Sequence, residues 1–376
     1  IPIDVGGRLT GKIGKFSVGA LNLETGDEAV SRTPSTNFTV LRVRRDILRR
    51  SNVGVMGTAR SVGATGSGNN QAYGVDGTFA FFRDLSFATY LAKTVSPGVS
   101  SGDLSYRGQM EYAGDRYGVQ LERLSIDPNF NPEVGFLRRT DIRKNFGLFR
   151  FSPRPKSIKS VRKFSAIGQY TYVEDAAGRV TTKLADGEFA IEFQNSDRFA
   201  VGVQDDYELI TKTFSVVPGA TIRTGGYDFT VGRVGYNLGQ QRKVSGNVLV
   251  ERGEFYDGTR TGVSLSRSRV NLSSRLSVEP TVTLNWITLP AGSFENRLLG
   301  SRITYTVTPL LFASALVQYN SSSHSVSTNA RLRWEYRPGS ELFVVYNEER
   351  DSERAVLAPG LLNRSFVVKV NRLFRF

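Results

Sequence analysis

A long alternating segment, Val326 to Tyr346, constrains the fold more than any other part of the chain. Alternate residues of its first arm form an apolar face and a charged face, and a period of two is that of a β-strand rather than a helix. The arm has about eleven residues, whereas strands of soluble proteins usually have about five or six. One face contains Val326, Thr328, Ala330, Leu332, Trp334 and Tyr336, and the other contains Ser327, Asn329, Arg331, Arg333, Glu335 and Arg337.

The same hairpin has the features of a membrane-spanning strand pair. A tight turn at Pro338 and Gly339 is followed by a second apolar strand. A transmembrane β-strand needs about 9–11 residues, apolar outward and polar inward, with aromatic residues at the interfaces. We therefore predict an all-β protein, a transmembrane antiparallel up-and-down β-barrel. The predicted lumen-lining charges are Arg107, Glu111, Arg331, Arg333, Glu335 and Arg337. Such charges can form a ring that sets the selectivity of a pore, but we favour the alternative that they neutralise one another between neighbouring strands.

Composition excludes several other classes. The 376 residues include no Cys, which excludes disulfides and thiolate metal sites. No run of about 18 apolar residues predicts a transmembrane helix. The net charge of +14 would suit nucleic acid, anionic lipid or an anion-attracting lumen, but no dense basic tract is present, so nucleic acid is not predicted. No signal peptide is visible at Ile1, and we expect a processed or truncated start.

Alternating segments recur along the chain and predict about 21 strands. Short turns, such as Gly14 and Arg83-Asp84, interleave with longer connections, among them 26–36, 62–70, 96–101, 125–143, 289–295 and 348–362. Bacterial barrels have short periplasmic turns, longer outer loops and an even strand number, so we expect one further strand upstream, giving about 22 in a range of roughly 18–24. Residues 1–376 would form one barrel domain.

Aromatic residues near strand ends predict a membrane girdle, although such rings can also stack on sugars. The candidates are Trp286, Trp334, Tyr336 and Phe376. The last strand alternates and ends in Phe376, a pattern similar to the C-terminal signal that outer-membrane barrels present to their assembly machinery. We accordingly expect that machinery as a partner during insertion.

The segment 125–143 is the least strand-like part of the chain. Two prolines, two asparagines and adjacent charges predict a structured loop. Long ordered loops are usually functional, so we predict that this one folds into the lumen as a constriction, the alternative being an ordinary surface loop. The candidate constriction residues are Asp127, Glu133, Arg138, Arg139 and Asp141.

Catalysis and metal binding have weak support. His324 lies among serines in a predicted outer loop, where some barrel enzymes place a catalytic histidine, but no carboxylate is adjacent in sequence. Asp127, Asp175 and Asp257 lie in turns of a kind that can bind Ca²⁺, but none has EF-hand spacing. We predict no enzyme activity, metal or cofactor.

Several motifs together resemble one bacterial family, the outer-membrane barrel region called domain of unknown function 5916. They are LTGKIGKFSVGALNLET (9–25), DPNFNPEVGFLRRTDIR (127–143), YDGTR (256–260), ALVQYNSSSHSVSTNARLRWEYRPGSELFVVYNEERD (315–351) and the terminal NRLFRF. The resemblance implies a bacterial outer-membrane barrel. Family members usually carry an N-terminal domain similar to family-nine carbohydrate-binding modules, and this chain does not include that periplasmic or surface domain.

These observations lead to a functional prediction: a porin-like passage or docking frame for a solute or polymer at the Gram-negative cell surface. Carbohydrate as the cargo is implied only by the resemblance. The alternatives are a structural anchor of a surface complex without transport, a hydrolase using His324 at the rim, and a soluble β-propeller. Expected partners are outer-membrane lipid and lipopolysaccharide, the assembly machinery, and surface or periplasmic proteins.

Overall fold

The computed structural model describes residues 1–29, 32–64, 66–217, 219–353 and 360–374. Within these ranges the secondary structure consists of strands and turns, with 21 strands in one antiparallel sheet and a separate two-stranded sheet. The predicted all-β, up-and-down arrangement is confirmed, and the main sheet has the predicted number of about 21 strands. No helix in the described ranges is long and apolar enough to cross a membrane.

The strands follow one another as paired neighbours. β1 pairs with β2 and the pattern continues in chain order to β9; it holds again from β15 to β23. The bounds are β1 Ile3–Ile13, β2 Phe16–Thr25, β3 Thr36–Ile47, β4 Ser51–Arg60, β5 Asn70–Phe81, β6 Leu85–Val95, β7 Leu104–Ala113, β8 Tyr117–Ile126, β9 Ile142–Phe151, β10 Val161–Glu174, β11 Val180–Phe193, β12 Arg198–Ile210, β13 Phe214–Val217, β14 Ala220–Ile222, β15 Gly225–Leu238, β16 Val244–Phe255, β17 Gly258–Asn271, β18 Leu276–Leu289, β19 Gly292–Thr308, β20 Leu311–Asn320, β21 Ser325–Arg337, β22 Ser340–Asp351 and β23 Gly360–Asn371.

The chain divides into two compact units. The first unit comprises Ile1–Ser152, Ile167–Asp186 and Tyr207–Leu209, and so contains β1 to β9. The second comprises Pro153–Ala166, Gly187–Asp206 and Ile210–Phe376, with β15 to β23 and the small β13–β14 hairpin. The prediction of a single barrel domain stays a prediction.

Within the first unit, strand register separates an apolar face from a polar face. Val55 lies opposite Val75, Val75 opposite Leu91, and Leu91 opposite Tyr106, so these side chains share the apolar face. Each is about half exposed, because no second layer of this unit covers it. The alternate residues form the polar face, on which Asp76 pairs with Arg42 at 2.7 Å between Oδ2 and Nη2.

The second unit has the same two-faced construction. Its apolar face includes Ala313 opposite Leu332, Leu332 opposite Val344, and Val344 opposite Val368. On its polar face, side-chain amides of Asn329 and Asn347 donate along a row that ends at Ser365. The period of two in the sequence thus becomes a physical separation of apolar and polar side chains.

Connection lengths follow the predicted alternation only in part. The predicted longer connection 289–295 is wrong, because β18 ends at Leu289 and β19 begins at Gly292. The prediction also missed β13 and β14, a short hairpin inside the connection from β12 to β15. Of the terminal strand, β23 extends only to Asn371, and Phe376 lies outside the described residues.

A β-bulge compensates for the proline inside β18. Pro280 has no N–H, so it removes one ladder donor. The register of β17 shifts between Leu265 and Val270, opposite this proline, and Arg267 in the bulge has a φ of 49°. The Ser268 hydroxyl donates to the Pro280 carbonyl. The chain therefore places its extra residue where a regular ladder would lack a donor.

Candidate functional site

The segment Asp127–Glu133 crosses the loop-side end of the first unit and is fixed there by buried polar contacts. The Glu133 carboxylate accepts the Ala64 backbone N–H at 2.8 Å from Oε2 and forms an ion pair with Arg60 at 3.3 Å between Oε2 and Nη1. The Glu133 side chain is 10% exposed and that of Arg60 is 18% exposed. We call this group of contacts the rim clasp.

Asn70 connects the rim clasp to a neighbouring strand. Its Oδ1 accepts the Glu133 N–H at 3.1 Å, and its Nδ2 donates to the Asn131 carbonyl at 2.8 Å and to Ser96 Oγ at 2.8 Å. The Asn131 N–H in turn donates to Thr94 Oγ1 at 3.1 Å. Asn70 is fully buried, which requires its amide to be satisfied in this way.

The rim clasp lies on the polar face. Asn70 and Asp76 are an even number of residues apart in β5, so their side chains project to the same side. Thr94 and Tyr90 have the same relation in β6, and Tyr90 is opposite Asp76. The loop therefore leans over the face that carries the ion pairs.

The other predicted loop residues have separate environments. Asp127 accepts the Leu104 N–H at 3.3 Å, and Asp141, with a φ of 56°, accepts the Ala176 N–H at 2.8 Å. Arg138 and Arg139 are exposed and make no ion pair with the residues that the structure describes. The five candidate residues thus do not converge on one point, and their role as a constriction stays a prediction.

A second cover lies on the polar face of the second unit. Ala220 and Ile222 of the β13–β14 hairpin pack in a buried apolar cluster. The other members of the cluster are Ile210, Ile287 and Leu289. Ile287 is opposite Arg260 in register and so projects to the polar face. We call this group, with the aromatic residue Tyr256 at its margin, the rim cap.

Aromatic contacts surround the rim cap. The ring of Tyr256 lies 5.3 Å from that of Tyr227 and 4.8 Å from that of Phe255, in edge-to-face arrangements. Phe214 of β13 contacts the same ring at 5.9 Å. An aromatic pair adds about 0.5–1.5 kcal/mol beyond burial, so the contact of Phe214 with Tyr256 helps to hold the hairpin.

Charges on the polar faces are mostly paired between neighbouring strands. In the first unit, Glu122 accepts from Arg107 Nε at 2.7 Å and from Lys144 at 3.0 Å, and its side chain is 7% exposed. Glu111 shares this face, and no described residue forms an ion pair with it. Glu122 thus neutralises Arg107 from the neighbouring strand, which fits mutual neutralisation rather than a selective ring of charge.

The predicted charges of β21 behave similarly. Arg333 Nε donates to Glu341 at 2.8 Å, whereas the Arg331 guanidinium stacks on the Phe343 ring at 4.8 Å. Glu335 accepts the Gly339 N–H at 3.0 Å and so fixes the turn. Arg337 is exposed at the end of β21 and has no described carboxylate partner.

The predicted girdle residues lie on the apolar face of the second unit. Trp334 is 45% exposed and Trp286 is 41% exposed. Trp334 and Tyr336 are edge-to-face at 6.0 Å near the β21–β22 turn, where the Tyr336 hydroxyl donates to the Asn371 carbonyl at 3.0 Å. Phe376 lies outside the described residues.

A buried carboxylate fixes the turn edge of the second unit. Asp197 accepts the Gly239 N–H at 2.9 Å, the Tyr236 hydroxyl at 3.0 Å and Arg242 Nη2 at 2.6 Å. The backbone donor at Gly239, with Tyr236 and Arg242, holds the pKa of Asp197 below its ordinary value against the opposing effect of burial. Both carboxylate oxygens accept hydrogen bonds from these groups, so Asp197 fixes the turn.

No catalytic constellation surrounds His324. Its backbone carbonyl accepts the Ser352 N–H at 2.6 Å, but no described side chain forms a hydrogen bond to its exposed imidazole ring. Among the described residues, no group of three or more His, Asp or Glu side chains is placed to hold a metal ion.

The sequence did not predict that the residues of the rim clasp, or those of the rim cap, would contact one another. Glu133 was a candidate, but Arg60 and Asn70 are far from it in sequence, and no local pattern links them. For β13–β14, the short apolar runs on either side of Gly219, whose φ is 89°, were an available hairpin signal.

Comparison with solved structures gives several distant likenesses, two of which are as follows. No family model matches the chain, and no curated protein matches it. The ferric-catecholate import receptor Fiu of E. coli K12 has a TM-score of 0.44 and 8% identity, over 96% of this chain and 71% of the receptor. The ferric yersiniabactin uptake receptor FyuA of Yersinia pestis has a TM-score of 0.27 and 11% identity, over 92% of this chain and 58% of the receptor.

Proposed function

We propose that the chain is the barrel of a bacterial outer-membrane protein that forms a passage or docking frame for a solute or polymer. The observation that carries this proposal is the exposed apolar face. Leu332, Val344 and Val368 are neighbours across three strands, and Val368 is 54% exposed. Contiguous apolar patches larger than a few hundred Å² are rare on soluble monomers, so such a face requires a cover.

A hydrocarbon cover fits better than a second protein layer. A sandwich would bury one face of each sheet against another, whereas Val75, Leu91 and Trp334 are all 45–52% exposed. The polar faces supply the complementary surface, with ion pairs such as Glu122–Lys144 that need contact with water or a wet filling. Apolar-out and polar-in alternation is the pattern of a membrane barrel.

The rim clasp and rim cap favour a restricted passage over an open pore. Each lies on the polar face at the loop-side end of its own unit, and each is held by buried contacts rather than by surface contacts. In a barrel these elements would narrow the outer entrance. Carbohydrate as the cargo rests only on the resemblance to the uncharacterised barrel family.

Membrane localisation is tested by expression in a Gram-negative host. We expect the chain in the outer-membrane fraction, extractable only with detergent, with a gel mobility that changes on boiling. Extraction into buffer without detergent would refute the proposal and favour a soluble β-sheet protein such as a propeller.

Passage is tested by conductance in planar bilayers. We expect small openings for the wild-type protein and larger ones for Glu133→Ala, which releases the rim clasp. Phe136→Ser provides the control, because Phe136 is 86% exposed in the same loop. No current from any of these proteins, inserted and folded, would refute passage and leave the structural anchor.

A further inference from the structure

Arg123 lies on the apolar face of the first unit, and no carboxylate of the described residues pairs with it. The register shows this. Arg123 is opposite Gly108, and Gly108 is opposite Thr89. Thr89 is two residues from Leu91 in β6, so its side chain projects to the same apolar face as that of Leu91. Arg123 Nη1 donates to Asn145 Oδ1 at 2.8 Å, and no carboxylate of the described residues is within ion-pair distance. On a lipid-facing surface, an arginine is strongly destabilising at the membrane midplane and much less so near the interface.

Open space adjoins this arginine. A side chain placed at Gly108 would meet nothing within 4 Å, so the row formed by Thr89, Gly108 and Arg123 is a notch in the apolar face. Below the notch, towards the short turns, a groove of about 910 Å³ is lined by Phe81, Phe87, Met110 and Leu121. Arg123 and Asn145 line its polar end, together with Gln109 and Glu122, which by register belong to the polar face.

A second cation borders the notch on its loop side. Arg143 is opposite Ser125, one step nearer the loop edge on the same face, and has no described carboxylate partner. Charge and shape therefore coincide: Arg123 lines the apolar groove, and Arg143 is on the same face one step nearer the loop edge. Arginine is suited to phosphate because its planar fork donates two parallel hydrogen bonds.

We infer that this notch binds a phosphate group of lipopolysaccharide, whose acyl chain lies in the groove below. The inference rests on the proposed outer-membrane location. Arg123 lies towards the loop end of β8, which would be the outer leaflet, where the phosphorylated glycolipid rather than a phospholipid supplies the anion. Bound phosphate compensates the charge of Arg123, and Asn145 positions the guanidinium.

Native mass spectrometry of the detergent-purified full chain tests the inference, with bisphosphorylated lipid A as the probe. We expect the wild-type protein to bind lipid A, Arg123→Gln to bind it at least tenfold more weakly, and dephosphorylated lipid A to bind weakly to both. Arg116→Gln is the matched control, because it removes the same charge at the other end of the β7–β8 hairpin, where Arg116 stacks on Tyr117 at 5.7 Å.

Several results would overturn the inference. They are equal binding by Arg123→Gln and wild type, an equal loss for Arg116→Gln, and preference for a phospholipid over lipid A. Heat-modifiable migration shows whether each variant is folded, and Arg123→Lys, which keeps the charge but not the fork, gives a second variant with intermediate binding expected. A folded, detergent-dependent protein without lipid A preference would refute this inference while leaving the proposed function intact.

Discussion

Glu133→Ala should undock the loop that follows β8 without unfolding the sheet. The substitution removes the hydrogen bond from Ala64 and leaves Arg60, whose side chain is 18% exposed, without its carboxylate. A hydrogen bond to a charged group contributes about 1.5–3 kcal/mol, and breaking a buried ion pair costs about 3–5 kcal/mol. Because both side chains retain some exposure, we expect about 2–4 kcal/mol, which corresponds to roughly 30- to 1,000-fold more frequent opening.

Hydrogen exchange of the loop amides measures this opening directly. The backbone N–H groups of residues 131 and 133 donate to Thr94 and Asn70. Their exchange in Glu133→Ala should be roughly 30- to 1,000-fold faster than in the wild type. Exchange in the centres of β5 and β6 should not change, since those amides belong to the strand ladder. Phe136→Ser should leave all of these rates as in the wild type. Unchanged protection at Asn131 in Glu133→Ala would refute the view that the rim clasp holds the loop.

Three further outcomes follow from the same contacts. Glu122→Gln leaves Arg107 and Lys144 without their shared carboxylate, so the reversal potential in a salt gradient should shift in the direction of greater anion selectivity. Glu295→Gln, in the exposed pair with Arg297, should change the reversal potential little. Arg267→Val should lower stability by about 1–2 kcal/mol in urea unfolding from vesicles, since β-branched residues disfavour a φ of 49°, and Arg267→Gly should not. Because the pKa of Asp197 is lowered in the folded state, its contribution is present above its unfolded pKa of about 3.9 and is lost as pH falls through the folded value; the stability difference between wild type and Asp197→Asn should therefore be constant near neutral pH and shrink below about pH 4.

The strands could be predicted from sequence because their signal is local. In β21, Leu332 and Trp334 alternate with Arg331 and Arg333, and a period of two can be read without any partner strand. Turn lengths were less predictable, as 289–295 shows: polar residues near Gly292 read as a loop although they continue β19. A period of two identifies the residues of a strand but does not determine the length of the connection that follows it.

The candidate site was only partly predictable because its contacts are distant in sequence. Nothing around Glu133 indicates that Arg60 and Ala64 will meet it, since strand order and register bring them together. Likewise, the unusual position of Arg123 becomes visible only when the register shows which face it occupies. Sequence identified the charged loop, and the sheet determined its neighbours.

The excess positive charge does not by itself make a passage selective for anions. Of the four cations predicted to line a lumen, Arg107 is bound to Glu122 and Arg333 to Glu341. Arg331 stacks on the Phe343 ring, and Arg337 is exposed at the end of β21. In the described part of the chain, Arg123, Arg138 and Arg139 have no such carboxylate, and they lie on the apolar face or in the loop after β8. Paired charges in a wet interior contribute little net potential, whereas unpaired ones at the rim attract anions before entry. The charge of +14 therefore argues for anionic lipid at the outer surface more strongly than for an anion-selective interior.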